Sequence, residues 1–144
     1  SQKTTRHAIV AIFKQFEQYN RLHDTSKPLF FDTETTADDQ IIEIAFCDSD
    51  RHVIIDTLIY TDRLSGPGVF KMHGIYPHEL LGKPTFIDIQ PAIVQLLKGR
   101  TLYAYNANFD IRMMRQSGHK LRMQQVDVKC LAKQFANFIG QYSP

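Results

Sequence analysis

Ile9, Ile12, Phe13, Phe16 and Tyr19 recur at spacings of three and four near the start of the chain, with Arg6, Lys14, Glu17 and Arg21 on the other faces. That period predicts an amphipathic helix packed through its apolar stripe, with Thr4 or Thr5 as its cap. The stretch "DTSKP" at 24–28 breaks it. Leu29, Phe30 and Phe31 follow as a short apolar run, which reads as a largely buried strand. Past the polar turn "TTADDQ", the segments "IIEIAFCDSD" and "RHVIIDTLIY" are rich in β-branched residues and predict two strands joined at Asp48, Ser49 and Asp50.

The glycine-bearing segment "RLSGPGVFKMHGIYPHELLGKP" reads as a long loop with short helical turns. "FIDIQPAIVQLLKG" has helical periodicity and ends at Gly99, a C-cap. "TLYAY" predicts a strand, "NANFDIRMMRQSG" a helix ending at Gly118, "QQVDV" a short strand and "KCLAKQFANFI" a final helix. Three neighbouring strands followed by alternating helix and strand point to an α/β fold, an antiparallel meander joined to parallel strands.

Composition narrows the class. A chain of 144 residues suits one domain with a sizeable core, and 43% hydrophobic residues is ordinary for a globular protein. A net charge of +2 is too small to argue for nucleic acid by itself. Cys47 and Cys130 do not make a disulfide framework and read as reduced, near-core thiols of a cytoplasmic protein. No run is long and apolar enough to span a bilayer, and the N-terminus lacks a charged-then-apolar signal pattern, so no membrane partner is expected. His7, His23, His52 and His78 show no metal-ligand spacing.

The candidate chemistry lies in "PLFFDTETTADD", residues 28–39. Asp32 and Glu34 stand two apart after the apolar run, so they share one side of an extended chain. Adjacent carboxylates repel, and the pair either caps a turn or holds a cation. In α/β sheets ligands gather at the carboxyl ends of strands, and "YAYNANFD" puts Asp110 at such an end, near a helix start. Three converging carboxylates offer hard oxygen donors, which suit Mg²⁺ or Mn²⁺ rather than Zn²⁺.

These residues resemble the DnaQ-like (DEDD) 3′–5′ exonuclease family. "FFDTETT" resembles its first motif and "YNANFD" its second; "HGI" at 73–75, with Leu80 and Pro84, resembles the loop between them, and "VDV" at 126–128 the strand after them. The resemblance implies a ribonuclease H-like fold, a mixed sheet flanked by helices. It implies release of nucleoside monophosphates from a DNA or RNA 3′ end, with two Mg²⁺ or Mn²⁺ ions on Asp32, Glu34 and Asp110, Asp32 bridging them. Thr33 and Thr35 would contact the terminal nucleotide, His73 would lie beside its base or sugar, and Asn106 would position substrate or the second-motif loop. A polymerase or other replication or repair protein is the partner such a domain implies.

Two departures stand out. Tyr105-Asn106 replaces the family's frequent His-Asn. The third motif, a fourth aspartate with a histidine or tyrosine base, does not occur in the 34 residues after Asp110. The expectation is therefore residues 1–27 as an N-terminal helical extension and 28–144 as an exonuclease domain lacking its C-terminal motif, truncated and weak or inactive alone. The alternative is a non-catalytic nucleic-acid- or protein-binding module on the same fold. Asp127 reads as a helix N-cap rather than a ligand. Arg112, Arg115, Lys120, Arg122, Lys129 and Lys133 are candidates to meet phosphates, and Phe70, Tyr76 and Phe109 to stack on bases.

Overall fold

The amphipathic period at the N-terminus does produce a helix, α1, over Gln2–Leu22. It is already running at Gln2, so Thr4 and Thr5 lie inside it rather than at its cap. The coordinates are a computed structural model, which describes residues 2–36, 39–62, 74–118 and 126–131. The strands are β1 (Leu29–Thr35), β2 (Ile41–Asp48), β3 (Val53–Leu58), β4 (Thr101–Ala104) and β5 (Asp127–Cys130). A 3₁₀ turn covers Pro77–Leu80, and the later helices are α2 (Phe86–Leu97) and α3 (Ala107–Ser117).

The five strands form one sheet in the order β3-β2-β1-β4-β5. β1, β2 and β3 pair antiparallel, while β1–β4 and β4–β5 pair parallel, the mixed arrangement expected. The β2–β3 connection is tight: Asp48 Oδ1 accepts from the backbone N–H of Asp50 at 2.8 Å and of His52 at 3.0 Å. Arg51 takes φ 69° in this turn, and both strands are shorter than the segments expected.

Leu29, Phe31, Ile44, Phe46, Ile55, Leu102 and Ala104 bury together against helix residues. From α1 come Ile12, Phe16 and Tyr19; from α2, Ile89, Ile93, Leu96 and Leu97; from α3, Met113 and Met114. α3 touches β1, β2, β4 and β5, so it lies across the sheet rather than along one strand. A smaller cluster of Ile42, Ile75, Leu80 and Leu58 fastens the segment after the long loop onto the sheet.

α2 begins with a capping box: Thr85 Oγ1 accepts from Asp88 N–H at 3.2 Å, and the Asp88 carboxylate accepts from Thr85 N–H at 2.9 Å. It carries Pro91 in its interior. Proline removes a helix hydrogen bond, and the helix persists because one face is buried by packing. Gly99 follows with φ +70°, the left-handed residue foreseen at this stop. Asp127 does not cap a helix; it opens β5, where its carboxylate accepts from Thr101 Oγ1 at 3.0 Å. Of the expected final helix, all but Lys129, Cys130 and Leu131 lie outside the described residues, and Lys129 and Cys130 belong to β5. Cys47 and Cys130 are both free thiols.

Candidate active site

β1 alternates as its sequence demands. Leu29 and Phe31 face the core, and Asp32 is exposed on the opposite face, with Glu34 half-buried beyond it. The register sets Asp32 across from Ala45 and Glu34 directly across from Glu43. Like charges opposed on neighbouring strands destabilise a sheet, so the two glutamates crowd the same end as Asp32. Glu43 escaped the motif reading because only strand pairing brings it beside Glu34. Its signal in the sequence is a lone acid inside the apolar run "IIEIAF".

Asp110 arrives from another element. Asn106 is the N-cap of α3, and Asp110 lies in the first turn, only 6% exposed. Its backbone N–H donates to Asn106 C=O at 3.1 Å. Thr33 Oγ1 donates to Asp110 Oδ1 at 2.7 Å, a bond between residues 77 apart in sequence. Thr33 belongs to the same face as Leu29 and Phe31, so it meets α3 from beneath while Asp32 and Glu34 point away. Asp32 in turn accepts from Thr33 N–H at 3.0 Å.

Burial pushes the Asp110 carboxyl above its ordinary value, and the negative charge of Asp32 pushes it the same way. The Thr33 hydroxyl and the Asn106 backbone bond pull it down without cancelling the rise. Asp110 therefore senses Asp32 across the strand. The three acids do not form a tight knot, however. Among the described residues, the triple whose donor atoms lie within 4.8 Å of one another is Asp48, Asp50 and His52.

That triple lies at the other end of the β1–β2 pair, since Asp48 is opposite Leu29. Its oxygens are committed. Asp48 Oδ1 holds the hairpin turn, and Oδ2 accepts from Tyr19 OH and meets His52 Nδ1, each at 3.0 Å. Asp50 pairs with Lys27. The knot reads as structural. The all-oxygen donor set of Asp32, Glu34 and Asp110 is the one whose chemistry fits a hard divalent cation.

The other expected residues are scattered. Thr35 ends β1, and Thr36 is buried just after it. Arg112 and Arg115 are exposed on α3, the former over the Phe109 ring at 5.7 Å. Lys129 is exposed on β5, 4.0 Å from Asp127. Phe109 packs against the core, whereas Tyr76 is 57% exposed. His73, Phe70, Lys120, Arg122 and Lys133 lie outside the described residues.

A family model described as "Exonuclease" (RNase_T) matches residues 29–142. The DNA polymerase III subunit epsilon of Treponema pallidum (strain Nichols) is 42% identical over 91 residues, 58% of this chain and 42% of the relative. An uncharacterized exonuclease, CP81, of Escherichia phage 186 is 32% identical over 92 residues, 62% of this chain and 47% of the relative. The chain thus spans under half the length of either. A solved structure, "Exonuclease X in complex with 5′ overhanging duplex DNA", superposes with a TM-score of 0.55 at 25% identity, covering 74% of this chain and 63% of that one.

Proposed function

The chain belongs to the exonuclease family matched over residues 29–142 and has its ribonuclease H-like mixed sheet, and on that premise we propose that it releases nucleoside monophosphates from the 3′ end of a nucleic acid strand, dependent on Mg²⁺ or Mn²⁺. The observation that carries the proposal is the Thr33–Asp110 hydrogen bond at 2.7 Å. It ties the first acidic motif to the second at a carboxyl that burial, and then the charge of Asp32, push above its ordinary value. Crowded acids at a strand end cost stability unless a cation offsets them.

In this reading Asp32 and Glu34 would hold the metal from the exposed face of β1, and Asp110, held on the α3 side by Thr33, would be drawn over the strand end to the ion as the third carboxylate. When bound, a pair of such ions supplies activated water and charge neutralisation on the leaving oxygen. The chain's own residues orient the substrate. Thr33 fixes Asp110, and Thr35 and Asn106 would border the terminal nucleotide. Two of the relatives' features point to a setting: one is named as a polymerase subunit and one was solved with DNA. We take a DNA strand as the substrate class and a polymerase as the partner class.

An oligonucleotide labelled at its 3′ end tests the reading, incubated with Mn²⁺ and this chain. The expected outcome is early loss of the 3′ label, reduced more than about a hundredfold by Asp110→Ala, on the scale of losing one essential transition-state contact. Release that persists in Asp110→Ala, or that starts from the 5′ end, sinks the proposal. Strand binding without Mn²⁺-dependent release favours a binding module instead.

A further inference from the structure

Two cavities meet where α1 lies beside the end of β3. The first, about 450 Å³, has Arg6, Ile9, Tyr60, Lys83 and Asp88 in its walls. The second, about 400 Å³, shares Tyr60 and Thr85 with the first and continues to Gln40 and to Gly118 at the end of α3. Gln40 belongs to the turn that closes β1: its N–H donates to Thr36 Oγ1 at 3.2 Å, and its C=O accepts from Thr36 N–H at 2.9 Å. The two cavities therefore form one groove that begins at the Glu34 end of the sheet and runs outward to α1.

The groove is uneven in charge. Arg6 and Lys83 have no ion-pair partner among the described residues. Two acids face them. The Asp88 carboxylate is bound to Thr85 N–H at 2.9 Å in the first turn of α2, where the helix amides already oppose its charge. Asp62 lines only the second cavity. Tyr60 stands at the junction, 36% exposed. Its backbone is held by a bond from its N–H to Pro84 C=O at 2.9 Å, which brings the end of β3 up to the Lys83 turn.

Two cations that make no ion pair among the described residues, beside an accessible aromatic ring, are the chemistry that takes a single strand, charge to phosphate and ring to base. One wall of the groove comes from α1, which precedes the residues matched to the family. We propose that this groove carries the single-stranded segment behind the terminal nucleotide, with Arg6 and Lys83 on its phosphates and Tyr60 under one of its bases. The inference rests on the exonuclease reading and extends it to a contact region remote from the carboxylates.

Fluorescence anisotropy in EDTA, where no cleavage complicates the signal, tests the groove. The probes are oligothymidylates of about 3 and about 12 nucleotides, bracketing the short end of usual single-strand site sizes. The full chain should bind the long probe more tightly. Arg6→Gln with Lys83→Gln should weaken it roughly tenfold at low salt and make its log–log salt dependence shallower by about 1.4, at about 0.7 per phosphate. The short probe should be unaffected. Tyr60→Ala should weaken the long probe without changing the salt slope.

A double variant that keeps both the affinity and the slope overturns the groove. So does a full chain that binds the two probes equally. Should the double variant melt early, Arg6→Gln alone is read the same way, at half the change in slope. The two proposals fail separately. Loss of long-probe binding with no 3′ release leaves the groove and removes the exonuclease reading; intact release with unchanged long-probe binding does the reverse.

Discussion

Asp48 and Asp110 are both buried aspartates, yet their surroundings move them in opposite directions. Burial raises each. For Asp48 the backbone and ring bonds from His52, the Tyr19 hydroxyl and the Asp50 amide outweigh burial and hold the carboxyl well below the usual carboxylate range. A depressed acid contributes stability that is fully present above its unfolded value, about 3.9, and lost as pH falls toward the folded value. Asp110, raised, has the opposite sign: its protonation favours the fold as pH falls. We expect the wild-type melting temperature to drop between about pH 5 and pH 2, with the Asp48 contribution dominant. Asp48→Asn should melt lower at pH 7 and lose less on acidification. An acid limb equally steep in both proteins would contradict this. The carboxylates of the proposed site were named at this scale: Asp32 and Glu34 by their spacing after an apolar run, Asp110 by its place at a strand end. Asp48 was read only as a turn residue, because its partners Tyr19 and His52 converge on it through the fold, not the local sequence.

Among the elements, period and punctuation located α1, β1, α2 and α3 because each pairs a regular apolar pattern with a stop, such as Gly99 after α2 and Gly118 after α3. β5 was blurred. Asp127 resembles a cap when a helical pattern follows, but parallel pairing of Thr101 with Asp127 and of Ala104 with Cys130 recruits those residues into the sheet. Long-range pairing of this kind leaves no local trace. The start of α2 shows the reverse case, where one local motif holds an element in place. Thr85 and Asp88 satisfy each other's backbone N–H groups at the helix start, and Pro91 has already removed one bond further along. Thr85→Ala should therefore cost about 1 kcal/mol in a urea titration, with no change in its slope. A loss near zero would mean that packing alone holds this end of α2.

At the scale of the whole molecule, the question is whether α1 is an appendage. The sequence suggested a boundary at residue 27, and the family match begins at residue 29. Yet Phe16 is 3% exposed and Tyr19 4%, and both belong to the same core as β1, β2 and α2. Tyr19 also links distant parts: its hydroxyl donates to Asp48 at 3.0 Å and accepts from Arg100 Nη2 at 3.2 Å. Arg100, itself 5% exposed, reaches back through Nε to Lys27 C=O at 2.8 Å. A detachable helix would bury little and bond to little. Deleting a buried phenylalanine side chain costs about 3–5 kcal/mol, against total stabilities of about 5–15 kcal/mol. Phe16→Ala should accordingly lower the urea midpoint in a single transition followed by both fluorescence and circular dichroism. If α1 were merely appended, the same substitution would release helix signal at low urea while the tyrosines of the sheet melted at the wild-type midpoint. A single shifted transition would make α1 a structural wall of the domain, and with it the Arg6 side of the groove.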